Sequence, residues 1–253
     1  MRNIQLSKRL KYVSDFITPG YILADIGTDH GFIPISMVLQ GKTPRAYAMD
    51  INKGPLARAD EHIGEAGLSD KIETRLSDGL AKLKANEAES VLIAGMGGSL
   101  IIKILSEGKH ALTGVRELIL SPHTEVDLVR EFLRTTDFVI EREGMVMDAG
   151  KYYVVLKARR RNDHEKQGTL YSEDHQPVVP DSIDAALYEE ICVKYGMLLL
   201  QEKNQVLADF LEKEKHKYNV ILESLAESEN DAGIKRRTEV EQVLRHIDIA
   251  LNI

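Results

Sequence analysis

The sequence predicts an open α/β sheet, mostly parallel, followed by a separate helical region. Three observations carry this. Short apolar runs of strand length alternate with runs of helical period along residues 1–160. Tyr21-Ile22-Leu23 leads into the turn Ala24-Asp25-Ile26-Gly27-Thr28-Asp29-His30-Gly31, and Phe32 to Leu39 continues as a helix with Pro34 in its first turn. A strand, a tight glycine turn and a helix in that order make the first unit of sheets whose ligands sit at the carboxyl ends of the strands. Beyond residue 160 the alternation gives way to heptad-like steps.

Composition narrows the class. The 253 residues suffice for one large domain or two modest ones, and 43% hydrophobic with 29% charged residues is the balance of a soluble globular protein. Cys192 is the one cysteine, so a disulfide framework within the chain is excluded and a cytoplasmic setting is expected. The first twenty residues carry Arg2, Lys8, Arg9, Lys11 and Asp15 without a long apolar run, so neither a secretory leader nor a membrane span is expected. With a formal net charge of −7, nucleic-acid binding requires a local basic face.

Leu6, Leu10, Val13 and Ile17 step by four, three and four, one face of a helix that Thr18-Pro19-Gly20 ends. Lys8, Arg9 and Lys11 lie off that stripe, as a solvated face or as phosphate contacts. Arg45 to Asp50 is a second strand ending in an acid, and Leu56 to Gly67 a helix. Asp50 follows Asp25 near the offset of about 20 residues at which an acid accepts from a ribose diol; the alternative is a strand-end acid capping the next helix. Ile72 to Leu76 alternates as a third strand, with Ser77-Asp78-Gly79 at its end. Asp78 is either a ligand for an adenine amine or part of a common Asp-Gly turn.

Val91 to Ala94 is an apolar fourth strand running into Gly95-Met96-Gly97-Gly98. Three glycines in four residues cost backbone entropy and mark a close approach by a ligand or another backbone. Ser99 to Leu105 reads as a helix, Leu118 to Leu120 as a fifth strand ending in Ser121-Pro122-His123-Thr124, and Glu125 to Arg134 as a helix with Thr124 as N-cap. Phe138 to Ile140 and Tyr152 to Leu156 flank Asp148-Ala149-Gly150, too short a connection for a parallel crossover, so the pair is antiparallel. Five strand–helix units and a closing hairpin describe the Rossmann-like, seven-stranded sheet of class I methyltransferases. Arg159-Arg160-Arg161 ends this domain at residue 160. Residues 161–253 hold a polar linker up to Pro180 and then a helical coiled-coil domain, with Leu207, Leu211, Tyr218, Ile221 and Leu225 on one arm and Val240, Leu244, Ile247 and Leu251 on the other. Ser228 to Gly233 is the expected turn between the arms.

The glycine turn lacks the dinucleotide fingerprint G-x-G-x-x-G, because Asp29 stands between Gly27 and Gly31. A pyrophosphate site would keep carboxylates out of this loop. Asp25 and Asp29 instead suit a ligand that is cationic at this point, and S-adenosylmethionine, with an ammonium and a sulfonium, fits.

Leu6-Ser7-Lys8-Arg9-Leu10, Ala24 to His30, Ile93-Ala94-Gly95-Met96-Gly97-Gly98 and the stretch from Tyr195-Gly196 to Glu202-Lys203-Asn204 resemble the TrmK-type bacterial tRNA (adenine(22)-N1)-methyltransferases. The resemblance covers nearly the whole chain. It implies S-adenosylmethionine as donor and tRNA as partner. It places Asp25, Gly27 and Asp29 at the methionine end, Asp50 at the ribose, Asp78 at the adenine and Gly95-Met96 at the mouth, with Thr28, His30, Ile51 and Gly79 as further contacts to the donor. Asp29 is the candidate catalytic residue, with contact to the donor ammonium as the alternative. Lys8, Arg9, Pro122, His123, Arg159, Arg160 and Arg161 are the candidate RNA contacts. The family commonly has Gln-Pro-Asn where this chain has Ser121-Pro122-His123. No metal site is expected, since neither His30 nor His123 belongs to a cluster of ligands. The competing readings are a methyltransferase for another RNA, a small molecule or a protein, and a non-catalytic binding scaffold. The oligomeric state is left between monomer and weak dimer.

Overall fold

In the computed structural model of the chain, residues 5–175, 177–225 and 230–253 are described. They form two compact units that divide between residues 176 and 177.

The first unit begins with α1 (Lys8–Ser14), capped by the Ser7 hydroxyl, which accepts from the Leu10 N–H. β1 (Leu23–Ile26), α2 (Phe32–Leu39), β2 (Ala46–Asp50), α3 (Lys53–Glu65), β3 (Ile72–Leu76), β4 (Ser90–Ala94), α4 (Gly98–Glu107), β5 (Glu117–Ser121) and α5 (Val126–Arg134) follow in alternation. β6 (Phe138–Asp148) and β7 (Lys151–Arg160) close the sheet as an antiparallel hairpin. The seven strands run in the order β3-β2-β1-β4-β5-β7-β6. β1 pairs in parallel with both β2 and β4, so the strand order reverses beside β1. That reversal opens a crevice at the carboxyl end of β1, where ligands of such sheets bind.

Burial explains the sequence of the central strands. β1 and β5 are buried along their whole length and β4 along all but its last residue, so none of them shows the alternation of a half-exposed strand, and β4 and β5 carry the apolar runs Val91 to Ala94 and Leu118 to Leu120. Ala46 and Ala48 share one buried cluster with Ile35, Met37 and Ile63 from the covering helices.

Several boundaries differ from expectation. α3 starts at Lys53 rather than Leu56, because Pro55 is tolerated in a first turn whose N–H groups have no helical partner. The N-cap of α5 is Glu125, in a left-handed conformation with φ 57°, and not Thr124. The Glu125 carboxylate caps the neighbouring helix instead, accepting from the Ser99 N–H at 2.9 Å and the Ser99 hydroxyl at 2.8 Å. β6 and β7 are much longer than the apolar triplets within them, and a bulge falls between Ile140 and Arg142. Residues 161–175 stay with the first unit: the Ile140 N–H donates to Leu170 O and the Ser172 N–H to Ile140 O, which lays this segment along β6.

The second unit holds α6 (Ala185–Tyr195), α7 (Met197–Gln201), α8 (Gln205–Ser224) and α9 (Asp231–Asn252). α8 and α9 pack on each other, with Leu207 and Leu211 of one and Val240, Leu244 and Ile247 of the other buried; Tyr218, Ile221, Leu225 and Leu251, which the heptad spacing also selects, are only partly buried. The short helices α6 and α7 add Ile191, Tyr195 and Met197 to Leu200 to the buried set. Of the expected turn between the arms, Ser228 and Glu229 lie outside the described residues.

Candidate active site

Each parallel strand delivers one chemical group to the crevice. β1 ends in Asp25-Ile26 and the loop turns at Gly27, φ 78°, a conformation that favours glycine. A Cβ on Gly27 would collide with the Met96 methyl, so the two loops after β1 and β4 touch here. His30 takes φ 65° without being glycine, held by the His62 Nδ1 at 3.0 Å from its carbonyl oxygen and by near-parallel packing on Phe32. Gly31 then caps α2.

The electrostatics of the two loop acids differ. Asp25 is 8% exposed, and burial pushes its carboxyl up to about 6, with the nearby Asp50 charge adding to the rise. Asp29 is exposed; Arg58 Nη2 lies 3.0 Å and His30 Nε2 3.4 Å from its Oδ1. Asp50, at the end of β2, accepts from the Asn52 N–H at 2.7 Å, and Ile51 beside it is 58% exposed. Asp78 is exposed at the end of β3, in a turn held by the buried Ser77 hydroxyl, which donates to Gly79 O at 2.9 Å.

The other wall comes from β4, α1 and the closing hairpin. The backbone of Gly95, φ 87°, has the Arg9 guanidinium and the His123 ring against it. The His123 N–H donates to Met96 O at 2.8 Å, and Pro122 before it is buried. Burial and then the Arg9 and Lys151 charges hold the His123 imidazole below its usual range. Arg9 lies 4.6 Å over the Tyr153 ring, and its N–H donates to Asp148 Oδ2 at 3.0 Å. Gly98 owes its identity to backbone: a Cβ there would come 2.5 Å from Glu125 O and 2.9 Å from Thr124 O. Gly98→Ala is therefore expected to lower stability by about 1–3 kcal/mol, because rigid backbone must move to relieve the clash; urea unfolding checks it, and an unchanged midpoint would contradict this packing.

A cavity of about 370 Å³ results, lined by Asp25, Gly27, Asp29, His30, Gly95, Arg9 and His123, together with Ser7, Leu10, Phe32, Ile33 and Ala94. A larger one, about 720 Å³, lies at the opposite end of the sheet between Leu105, Lys109, Val115, Phe132 and Arg160, without the glycine turn or its acids. Size favours the second and chemistry the first.

Residues 6–156 match the family model described as a methyltransferase domain. The tRNA (adenine(22)-N(1))-methyltransferase of Bacillus subtilis is 32% identical over 98% of both chains. The chain belongs to the tRNA (adenine(22)-N1)-methyltransferase family. Among solved structures it is similar to Streptococcus pneumoniae Sp1610, titled a putative tRNA (m1A22) methyltransferase in complex with S-adenosyl-L-methionine, at 30% identity and TM-score 0.79 over 98% of this chain and all of that one. Mycoplasma capricolum TrmK, titled as a complex with S-adenosyl-homocysteine, is 27% identical with TM-score 0.76 over 98% of both.

For a methyltransferase of this family the donor set suits a sulfonium amino acid. Two carboxylates, Asp25 and Asp29, line the cavity, and a third, Asp50, stands at the end of the neighbouring strand β2. Three of the expected RNA contacts are placed elsewhere. β7 runs antiparallel to β5, so Arg159 to Arg161 sit at the far end of the sheet from the cavity. Their guanidinium groups are committed there: Arg159 to Glu165 at 2.7 and 2.8 Å, Arg160 to the Val115 and Leu112 carbonyls, and Arg161 to Thr169. The same antiparallel run brings Lys151 and Tyr153, which begin β7, and Asp148, which ends β6, to the cavity end. Sequence reading passed over them, although the direction of the last strand places them there.

Proposed function

We propose that this protein transfers a methyl group from S-adenosylmethionine to N1 of adenine 22 in tRNA. The observation that supports it best is one cavity at the strand-order reversal, lined by Asp25 and Asp29 and walled by His123, in a chain that matches this family end to end. When bound, S-adenosylmethionine supplies an electrophilic methyl group on a sulfonium.

Asp25 would hold the cationic end of the donor, with Gly27 and Thr28 shaping the turn. Asp50 would accept from the ribose hydroxyls, and charge-assisted bonds of that kind are short and strong. Ile51 offers an uncovered apolar face to the adenine, and Asp78 with Gly79 an acceptor for its amine. Adenine N1 carries its own lone pair, so the protein need not generate a nucleophile; alignment alone can supply about 7–11 kcal/mol of the barrier. Asp29 would accept from the exocyclic amine as positive charge moves onto the base. His123, neutral near pH 7, walls the side at which a base swung out of the RNA would enter. Lys8, exposed on α1, is the candidate phosphate contact. A cytoplasmic setting is the reading that a single cysteine in the chain, Cys192, supports; among the described residues no helix is long and apolar enough to cross a membrane.

The test is incubation of unmodified tRNA with labelled donor, followed by mapping of the modified nucleotide. Label at N1 of adenine 22 is expected; label elsewhere, or none, refutes the assignment.

A pH dependence follows from Asp25. Its carboxyl is raised, so the folded state holds the proton more tightly than the unfolded chain does. The stability from that protonation is complete below about 3.8 and is lost as pH rises through about 6. A cationic donor needs the ionised form. Donor affinity should therefore rise between about pH 5 and 7, with proton release on binding, and Asp25→Asn should flatten the profile. Calorimetry in buffers of different ionisation enthalpy reads both; a flat wild-type profile would contradict the assignment.

A further inference from the structure

Arg9 stands apart from the other cations near the site. Lys8 points to solvent, and Arg58 already bonds to Asp29. Arg9 is half-buried, its Nε is closed off from solvent, and that nitrogen has no hydrogen-bond partner. Its guanidinium makes no ion pair among the described residues; its attachments are the Asp148 bond to its backbone N–H and the Tyr153 ring. Burial lowers its pKa, so the cation is held where water solvates it poorly. A desolvated planar donor without an acceptor is a costly arrangement in a folded protein. It points into the cavity that holds Asp25 and Asp29, against the Gly95 backbone, where any side chain at position 95 would crowd it.

Two carboxylates and one guanidinium around a single small cavity make a receptor for a zwitterion. The buried Asp25 matches an ammonium, and the guanidinium matches a carboxylate with its paired N–H groups. RNA phosphate fits this position poorly, because a phosphodiester would have to enter beside two acids. We propose that Arg9 binds the α-carboxylate of the donor's amino-acid part, and so selects an intact aminocarboxylate over a donor that lacks the carboxyl group. This rests on the methyl-donor reading above. It moves Arg9 from the RNA contacts to the donor site, with Tyr153 and Asp148 holding its plane and its main chain in place.

The test is calorimetric titration of the full chain, without RNA, with S-adenosylmethionine and with its decarboxylated form. Wild type is expected to bind the intact donor about 10- to 100-fold more tightly. Arg9→Gln should weaken binding of the intact donor by about that factor and leave binding of the decarboxylated one within about twofold. Arg9→Lys should keep part of the preference, as a charge without the planar fork, and guards against a folding defect in the glutamine variant. Equal weakening of both ligands in Arg9→Gln, or a preference that survives in it, overturns the carboxylate assignment alone. So does a variant whose defect appears only in the salt dependence of tRNA binding. A wild-type chain that binds neither ligand overturns the methyl-donor reading and the subsite with it.

Discussion

Arg130→Met should cost the protein about 3–5 kcal/mol of folding stability, the loss typical of breaking a fully buried ion pair. The Arg130 and Glu143 side chains are 1% and 0% exposed, and Arg130 Nε lies 2.8 Å from Glu143 Oε1. The Tyr171 hydroxyl reaches the other carboxylate oxygen at 3.4 Å. Without the guanidinium, the Glu143 carboxylate loses its counter-ion in a place that water does not reach. The intact pair need not be a net stabiliser, since two charges were desolvated to make it. Arg130→Met combined with Glu143→Leu should therefore recover most of the loss, a coupling that denaturant unfolding of the two singles and the double measures directly. A single-mutant loss under about 1 kcal/mol, or additive losses in the double, would mean that the charge is not sealed off. Because Tyr171 belongs to the segment laid along β6, the single variant should also speed proteolysis near residues 161–175.

That pair also shows what hides an element from sequence reading. Glu141-Arg142-Glu143 looks like the polar end of a strand, yet β6 runs on through it to Asp148, because a partner from α5 takes in the acid. A charged residue announces exposure unless its counter-ion is known, and the counter-ion is a tertiary fact. The central strands β4 and β5 were legible for the opposite reason: buried on both faces, they carry the unbroken apolar runs Val91 to Ala94 and Leu118 to Leu120. The crevice was legible too, since a glycine turn bearing two acids is unusual chemistry at a fixed place in the chain. Arg159 to Arg161 were misleading, as three adjacent cations read as a nucleic-acid patch until Glu165 and nearby carbonyls are seen to absorb them. Gly98 was read correctly as a close approach, and the structure supplies the partner, the backbone at Thr124 and Glu125. The helices α6 and α7 went unread because Met197 to Leu200 is too short a run to show a period.

Asp29→Ala is expected to lower the turnover rate by about 10²–10³-fold while weakening donor binding by less than about tenfold. The asymmetry follows from the two acids of the turn. Asp25 is buried and meets the donor before and during reaction alike, so its loss should fall mainly on affinity. Asp29 is exposed, with 64% of its side chain accessible, and the guanidinium beside it, Arg58, is itself 47% accessible. An exposed pair of this kind adds little to folding, so the variant should unfold at nearly the wild-type midpoint. What it would lose is an acceptor for the amine of the target base, and that bond strengthens only as the base becomes cationic. Asp29→Asn separates charge from geometry: the amide oxygen still accepts but carries no charge, so an intermediate rate is expected. Arg58→Ala should change the rate by only a few fold, since it leaves the carboxylate in place. Single-turnover rates and donor affinities measured on the same preparations decide the matter. Equal losses in rate and affinity for Asp29→Ala would make Asp29 a ligand for the donor and leave the charge on the base without a partner in this turn.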